Sequence, residues 1–138
     1  MAHYTKQDIK AAEFKYRLNL INSITGVKPA NLVGTLSEHG DPNLAIFSSV
    51  VHLGSDPALI GLVMRPDTEV RRHTYEIIKI LQEYTITHVH RSFVTQAHYT
   101  SAIFEEGQSE FDHCLLSEEY SVGFSMPFVN VSTVKYGW

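Results

Sequence analysis

The densest positive charge in this chain lies in Arg65-Pro66-Asp67-Thr68-Glu69-Val70-Arg71-Arg72-His73-Thr74, between a segment that reads as a strand and one that reads as a helix. An anion could sit there. Arginine offers forked donors to phosphate, and the free backbone N–H groups of a helix start add roughly half a unit of positive charge. Thr74 could cap the helix or give its hydroxyl to a phosphate oxygen. The ordinary alternative is a solvated first turn in which Asp67 and Glu69 neutralise the arginines.

A second constellation is the run Asn43-Leu44-Ala45-Ile46-Phe47-Ser48-Ser49-Val50-Val51. Strand alternation places Asn43, Phe47, Ser49 and Val51 on one face, and Leu44, Ile46, Ser48 and Val50 on the other. The first face then offers an amide, an aromatic and a hydroxyl, a fitting floor for a flat polar aromatic ligand; an ordinary half-buried strand explains the same pattern. His88 and His90 would share a strand face, but no third ligand or H-E-x-x-H accompanies them, so no metal site is expected. Cys114, the only cysteine, has no nucleophile signature and excludes an internal disulfide. Neither G-x-G-x-x-G nor G-x-x-x-x-G-K-[ST] occurs.

The elements that must position these residues follow from spacing. Thr5 with Asp8, then Ile9, Ala12 and Tyr16, predicts a helix near Thr5 to Tyr16, and Asn22 to Lys28 a loop ahead of Pro29. Strands are expected over Ala30 to Ser37, Leu44 to Val51 and Ala58 to Met64, joined by short Gly/Asp/Pro turns as a meander. A helix is expected over at least the second half of Asp67 to Gln82, a strand over Glu83 to Val89, a helix over Ser92 to Ala102, a loop over Glu105 to Glu110 and a final strand over Val129 to Tyr136. Strands in a run with inserted helices suggest a β-barrel or α+β sheet rather than a Rossmann fold.

The 138 residues form one domain. A net charge of −4 with no Lys/Arg-rich run counts against nucleic acid and anionic membranes as partners. No apolar signal core or membrane span is present, so a cytoplasmic location is expected. Charged residues make up 19% of the chain, against about 25% in typical domains, which hints at an oligomer.

Tyr16-Arg17, Leu20 to Ser23, Gly26 to Thr35, Asn43 to Gly54, Arg65-Pro66, His73 to Ile77, Tyr84 to Ile86, Ala97 to Ala102 and Gly107 to Phe111 together resemble the flavin reductase-like family. The similarity spans roughly Phe14 to Tyr136. It implies a mostly β fold: an FMN-binding, Greek-key split barrel with inserted helices, dimeric, with FMN near the subunit interface. The implied chemistry is hydride transfer from NADH or NADPH to the flavin, whose electrons pass to an unknown acceptor. The resemblance assigns Phe47, Ser48, Ser49 and Val50 to the flavin ring, Lys28 and Asn31 to its pyrimidine edge, and Arg65, Arg72, His73 and Thr74 to the phosphate. It puts His98 on the open, substrate-facing side as the candidate catalytic residue.

Three positions depart from the family's usual pattern, which carries Asn at Ile78, Gly near Gln82 and Asn at Thr87. Family domains also continue beyond Trp138. The expectation is therefore a barrel completed differently, an edge covered by a partner chain, or a relative shortened at its C-terminus. A non-catalytic flavin-binding or interaction protein with the same fold is the alternative function.

Overall fold

Thr5 opens the first helix as the spacing predicts. In the computed structural model, which describes residues 3–64, 73–105 and 107–138, its hydroxyl accepts from the Asp8 amide while the Asp8 carboxylate accepts from the Thr5 amide. This reciprocal cap starts α1 (Lys6–Ala11). Ala12 turns extended, and α2 (Phe14–Ile24) follows. Helix α2 runs through the first part of the expected loop: Asn22 and Ser23 stay helical, and the Ser23 hydroxyl donates back to the Asn19 carbonyl.

Strands β1 (Asn31–Leu36) and β2 (Pro42–Phe47) pair antiparallel, with Thr35 opposite Asn43 and Asn31 opposite Phe47. The other edge of β1 takes β5 (Thr85–His88), and β8 (Lys135–Gly137) completes the order β2-β1-β5-β8. The expected meander is corrected here. Strand β3 (Val50–Ser55) pairs with β4 (Ala58–Leu62) in a separate hairpin, not with β2. The reason lies at Ser48-Ser49, where the expected continuous strand breaks. The Ser49 hydroxyl donates to the Val63 carbonyl at 2.6 Å and the Ser49 carbonyl accepts the Val63 N–H at 3.0 Å, drawing the chain out of the first ladder. Alternation is lost across the break, so Phe47 and Val50, expected on opposite faces, pack in one cluster.

Helix α3 (His73–Leu81) is the second half of the expected helix, and it ends at Gln82, whose φ is +57°. A single turn of 3₁₀ helix (Arg91–Phe93) leads into α4 (Val94–Tyr99), and α5 (Glu110–His113) follows within and beyond the expected loop. The expected last strand is two short pieces, β7 (Phe128–Val129), paired with β6 (Glu118–Glu119), and β8.

The four-stranded sheet has an apolar layer on each face. On one, Leu32 and Leu44 meet Phe93, Ala97, Phe111, Cys114, Leu116 and Val129. On the other, Val33 and Ile86 meet Val50, flanked by Phe47, Ile60, Leu62, Ile78, Tyr84 and Tyr136. Covered on both faces and paired on both edges, β1 is buried from Asn31 through Thr35. The mostly β expectation is thus corrected to a mixed α/β arrangement, with no closed barrel among the described residues. The outer edge of β2 shows why closure stops there: the Leu44 N–H donates to the Glu110 carboxylate at 3.0 Å, where a neighbouring strand would otherwise bond.

Candidate functional site

The break at Ser48-Ser49 that splits β2 from β3 opens one end of a groove, and the start of α3 closes the other. The groove encloses about 970 Å³, near the top of the range of roughly 300–1,000 Å³ usual for small-molecule sites. Phe47, Ser48 and Ser49 line it, with Ala45 and Ile46 behind them; Val63 and Met64, His73 and Thr74, and residues 100–104 form further walls. Leu18 and Asn22 of α2 lie over it. The structure therefore brings Phe47, Ser48, Ser49, His73 and Thr74 together around one space.

The remaining expected residues stand elsewhere. The Lys28 ammonium donates to the Asn22 carbonyl at 3.1 Å, in the last turn of α2, where a cation complements the free carbonyls. Val50 is buried in the core. Asn31 is 1% exposed beside Phe47, and neither atom of its amide has a partner; it does not line the groove. His98 lies exposed on α4, outside the linings of both cavities described here, with its ring 6.4 Å from that of Tyr99. Arg65 and Arg72 fall outside the described residues. His88 ends β5 while His90 caps the 3₁₀ turn, so the two do not share a strand. Among the described residues no three His, Cys, Asp or Glu side chains are grouped to hold a metal ion.

Sequence reasoning counted the Asn43 amide in a candidate ligand floor, and the structure places it in the groove lining. Its amide nitrogen donates to Thr35 Oγ1 and to Thr74 Oγ1, both at 3.0 Å, joining β1, β2 and α3. The available signal was an amide in an otherwise apolar strand, four residues before the aromatic. The contributions of α2 and of residues 100–104 had no local signal, because only the tertiary fold brings them over β2.

A second cavity of about 460 Å³ shares Asn43, His73, Phe104 and Glu110 with the groove. Asp41, Glu76, Glu105, Glu110 and Asp112 line it, and carboxylates repel a phosphate, so the second cavity is the poorer seat for one. Cys114 is buried, and burial, then the nearby Glu110 carboxylate, pushes its thiol pKa up, which disfavours the thiolate.

Residues 27–136 match the flavin reductase like domain. The chain belongs to the flavin reductase-like family. Among solved structures, a candidate flavin reductase with a split barrel domain from Shewanella frigidimarina NCIMB 400 is 44% identical over 99% of this chain and 67% of its own, with a TM-score of 0.92. Nitrilotriacetate monooxygenase component B from Bacillus cereus shares the fold at 19% identity, covering 99% of this chain and 66% of its own, with a TM-score of 0.85. An FMN-binding domain of a flavin reductases-like enzyme from Shewanella baltica OS155 does so at 19% identity, over 80% of this chain and 56% of its own, with a TM-score of 0.64. This flavin reductase-like chain thus spans about two thirds of the length of its first two structural relatives. No curated protein matches it. Family membership supports flavin-linked oxidoreductase chemistry.

Proposed function

We propose that this domain binds FMN in the groove between β2 and α3 and serves an oxidoreductase that uses NADH or NADPH as reductant. The observation that carries this reading is the single groove running from Phe47, Ser48 and Ser49 to His73 and Thr74. One end offers an aromatic face with hydroxyls, suited to a planar heteroaromatic ring; the other offers an imidazole, a hydroxyl and a helix start, suited to a phosphate. In the sequence Arg65 follows Met64 and Arg72 precedes His73, and both Met64 and His73 line the groove, which supports the two arginines as phosphate ligands. When bound, FMN would supply a ring that accepts a hydride and passes electrons to a second substrate. The chain's part is to hold that ring against β2, keep one face open and donate a hydrogen bond from Ser48, the Ser49 hydroxyl proton being held by the Val63 carbonyl.

Large apolar residues are exposed on two elements: Phe14, Leu18, Ile21 and Ile24 on α2, of which Leu18 lines the groove, and Val51, Leu53 and Leu59 on the β3–β4 hairpin. Surface of that kind favours a homodimer.

An absorbance spectrum of the purified protein, followed by titration with FMN and with riboflavin, tests the proposal; NADH oxidation in the presence of FMN tests turnover. A protein that binds FMN and cannot be reduced by either nicotinamide would be the non-catalytic alternative. Arg72→Ala is expected to weaken FMN binding at least tenfold while riboflavin binding changes little, since riboflavin lacks the phosphate. Equal losses for both would remove this arginine from the phosphate site.

A further inference from the structure

Val50 faces Leu62 in the β3–β4 hairpin, so the next rung sets Ser49 opposite Val63. Opposite residues in such a rung ordinarily exchange two main-chain bonds. One is present, from the Val63 N–H to the Ser49 carbonyl at 3.0 Å. The other is made by a side chain: the Ser49 hydroxyl, in place of its N–H, donates to the Val63 carbonyl at 2.6 Å, near the short end for a bond between oxygens. Packing does not hold this rung, because Val63 is 62% exposed and the hairpin's apolar contacts with the sheet come from Val50, Ile60 and Leu62. Yet the rung joins two parts of the groove: Ser49 belongs to its floor with Phe47, and Val63 and Met64 form a wall. A two-stranded hairpin is marginal on its own, so the position of its last rung depends on this pair of bonds.

We infer that Ser49 is a positioning residue: its hydroxyl clasps the end of β4 to the break after β2 and sets the spacing of floor and wall before a ligand arrives. This rests on the proposal that the flavin ring lies against Phe47. It also separates Ser49 from Ser48, since a hydroxyl proton held by the Val63 carbonyl is not available to the ring. A wall fixed in advance spares the ligand the cost of ordering it. Because the clasp acts at the ring end, its loss should weaken every ligand carrying that ring alike, whether or not a phosphate follows.

The test pairs native-state hydrogen exchange with titration of the purified protein by FMN and by riboflavin, read by fluorescence quenching and absorbance. Without flavin, Ser49→Ala should speed exchange of the Val63 N–H about fivefold to tenfold, the size of one hydrogen bond, with the amides of β1 and β5 unchanged. The same variant should weaken FMN and riboflavin by one common factor of about three to ten, and Ser49→Thr, which keeps the hydroxyl, should restore both. The absorbance spectrum of bound FMN should be the same in Ser49→Ala as in wild type. Ser49→Cys, with a weaker donor of similar size, should fall between serine and alanine, and it carries the test if Ser49→Ala fails to fold. The inference is overturned if Val63 exchange is unchanged, if the affinity loss is absent or confined to FMN, or if Ser49→Thr restores nothing. A shifted flavin spectrum in Ser49→Ala would also overturn it, by putting the hydroxyl against the ring. A wild-type protein that binds no flavin would remove the ring placement and the positioning role with it, and an intact exchange response would separate that failure from loss of the clasp.

Discussion

Gly34 illustrates how one residue type decides a close approach. It sits on β1 opposite Thr85 and Leu44, where a Cβ would overlap the Pro127 carbonyl and the Thr85 hydroxyl. The Thr85 hydroxyl accepts the Gly34 N–H at 3.2 Å and donates to the Pro127 carbonyl at 2.6 Å, so the two elements are locked through this point. Gly34→Ala is expected to cost about 3 kcal/mol and lower the melting temperature by roughly 10 °C, measured by calorimetry; an unchanged melting temperature would show that the 126–128 segment can move away. The same scale shows what sequence could and could not reveal. Asn43, Phe47 and Ser49 could be read from residue type as a candidate ligand floor, and all three line the groove. The bonds that Asn43 makes were not legible, because its partners Thr35 and Thr74 lie eight and thirty-one positions away. Thr87, one of the departures from the family pattern, is fully buried with its hydroxyl unpartnered, a consequence invisible before the strand was packed.

Helix α3 brings His73 and Thr74 to the groove, and its exit shows a cost. Gln82 adopts φ +57° and bonds its N–H to the Ile78 carbonyl at 2.9 Å. That left-handed conformation at the end of a helix favours glycine. Gln82→Gly should therefore stabilise the protein by about 1 kcal/mol, seen as a higher denaturant midpoint with an unchanged slope; a lower midpoint would mean the Gln82 side chain contributes more than its backbone strain costs. The helix itself was legible from the spacing of its apolar residues, since Ile78 packs into the core as a periodic apolar position should. The β2–β3 break was not legible. Asn43 to Val51 reads as one uninterrupted strand, and only the bonds between Ser49 and Val63 end it.

Across the whole molecule, stability should depend on pH through partly buried phenols, with the contribution of Tyr120 reduced by solvent because it is 49% exposed. Burial raises the pKa of Tyr84; burial, then Tyr84, raises that of Tyr136; burial, then Glu118, pushes Tyr120 up to about 12. Each phenol titrates higher in the folded protein than the ordinary value of 10.0, so the stability linked to its neutral form is present in full below pH 10 and lost as pH rises toward about 12. Denaturant midpoints should fall across that window, in step with tyrosinate absorbance, and Tyr120→Phe should reduce the fall. The exposed apolar surface makes a second expectation. Sedimentation at micromolar concentration should show a dimer, and Ile21→Lys with Leu53→Lys should give a folded monomer that binds flavin more weakly; a wild-type monomer at all concentrations would remove the dimer from the proposal.

Residue type and period by themselves determined where α1, α3, α4 and most strands lie and which segments carry polar chemistry, because these depend on neighbours within a few positions; the family followed from the resemblance of the whole ordered run. The pairing of β1 with β5, the absence of a closed sheet among the described residues, and the position of Lys28, Val50 and His98 outside the groove lining were decided only by the tertiary structure. Each depends on which distant segment supplies a bond or covers a face, and local spacing holds no record of that.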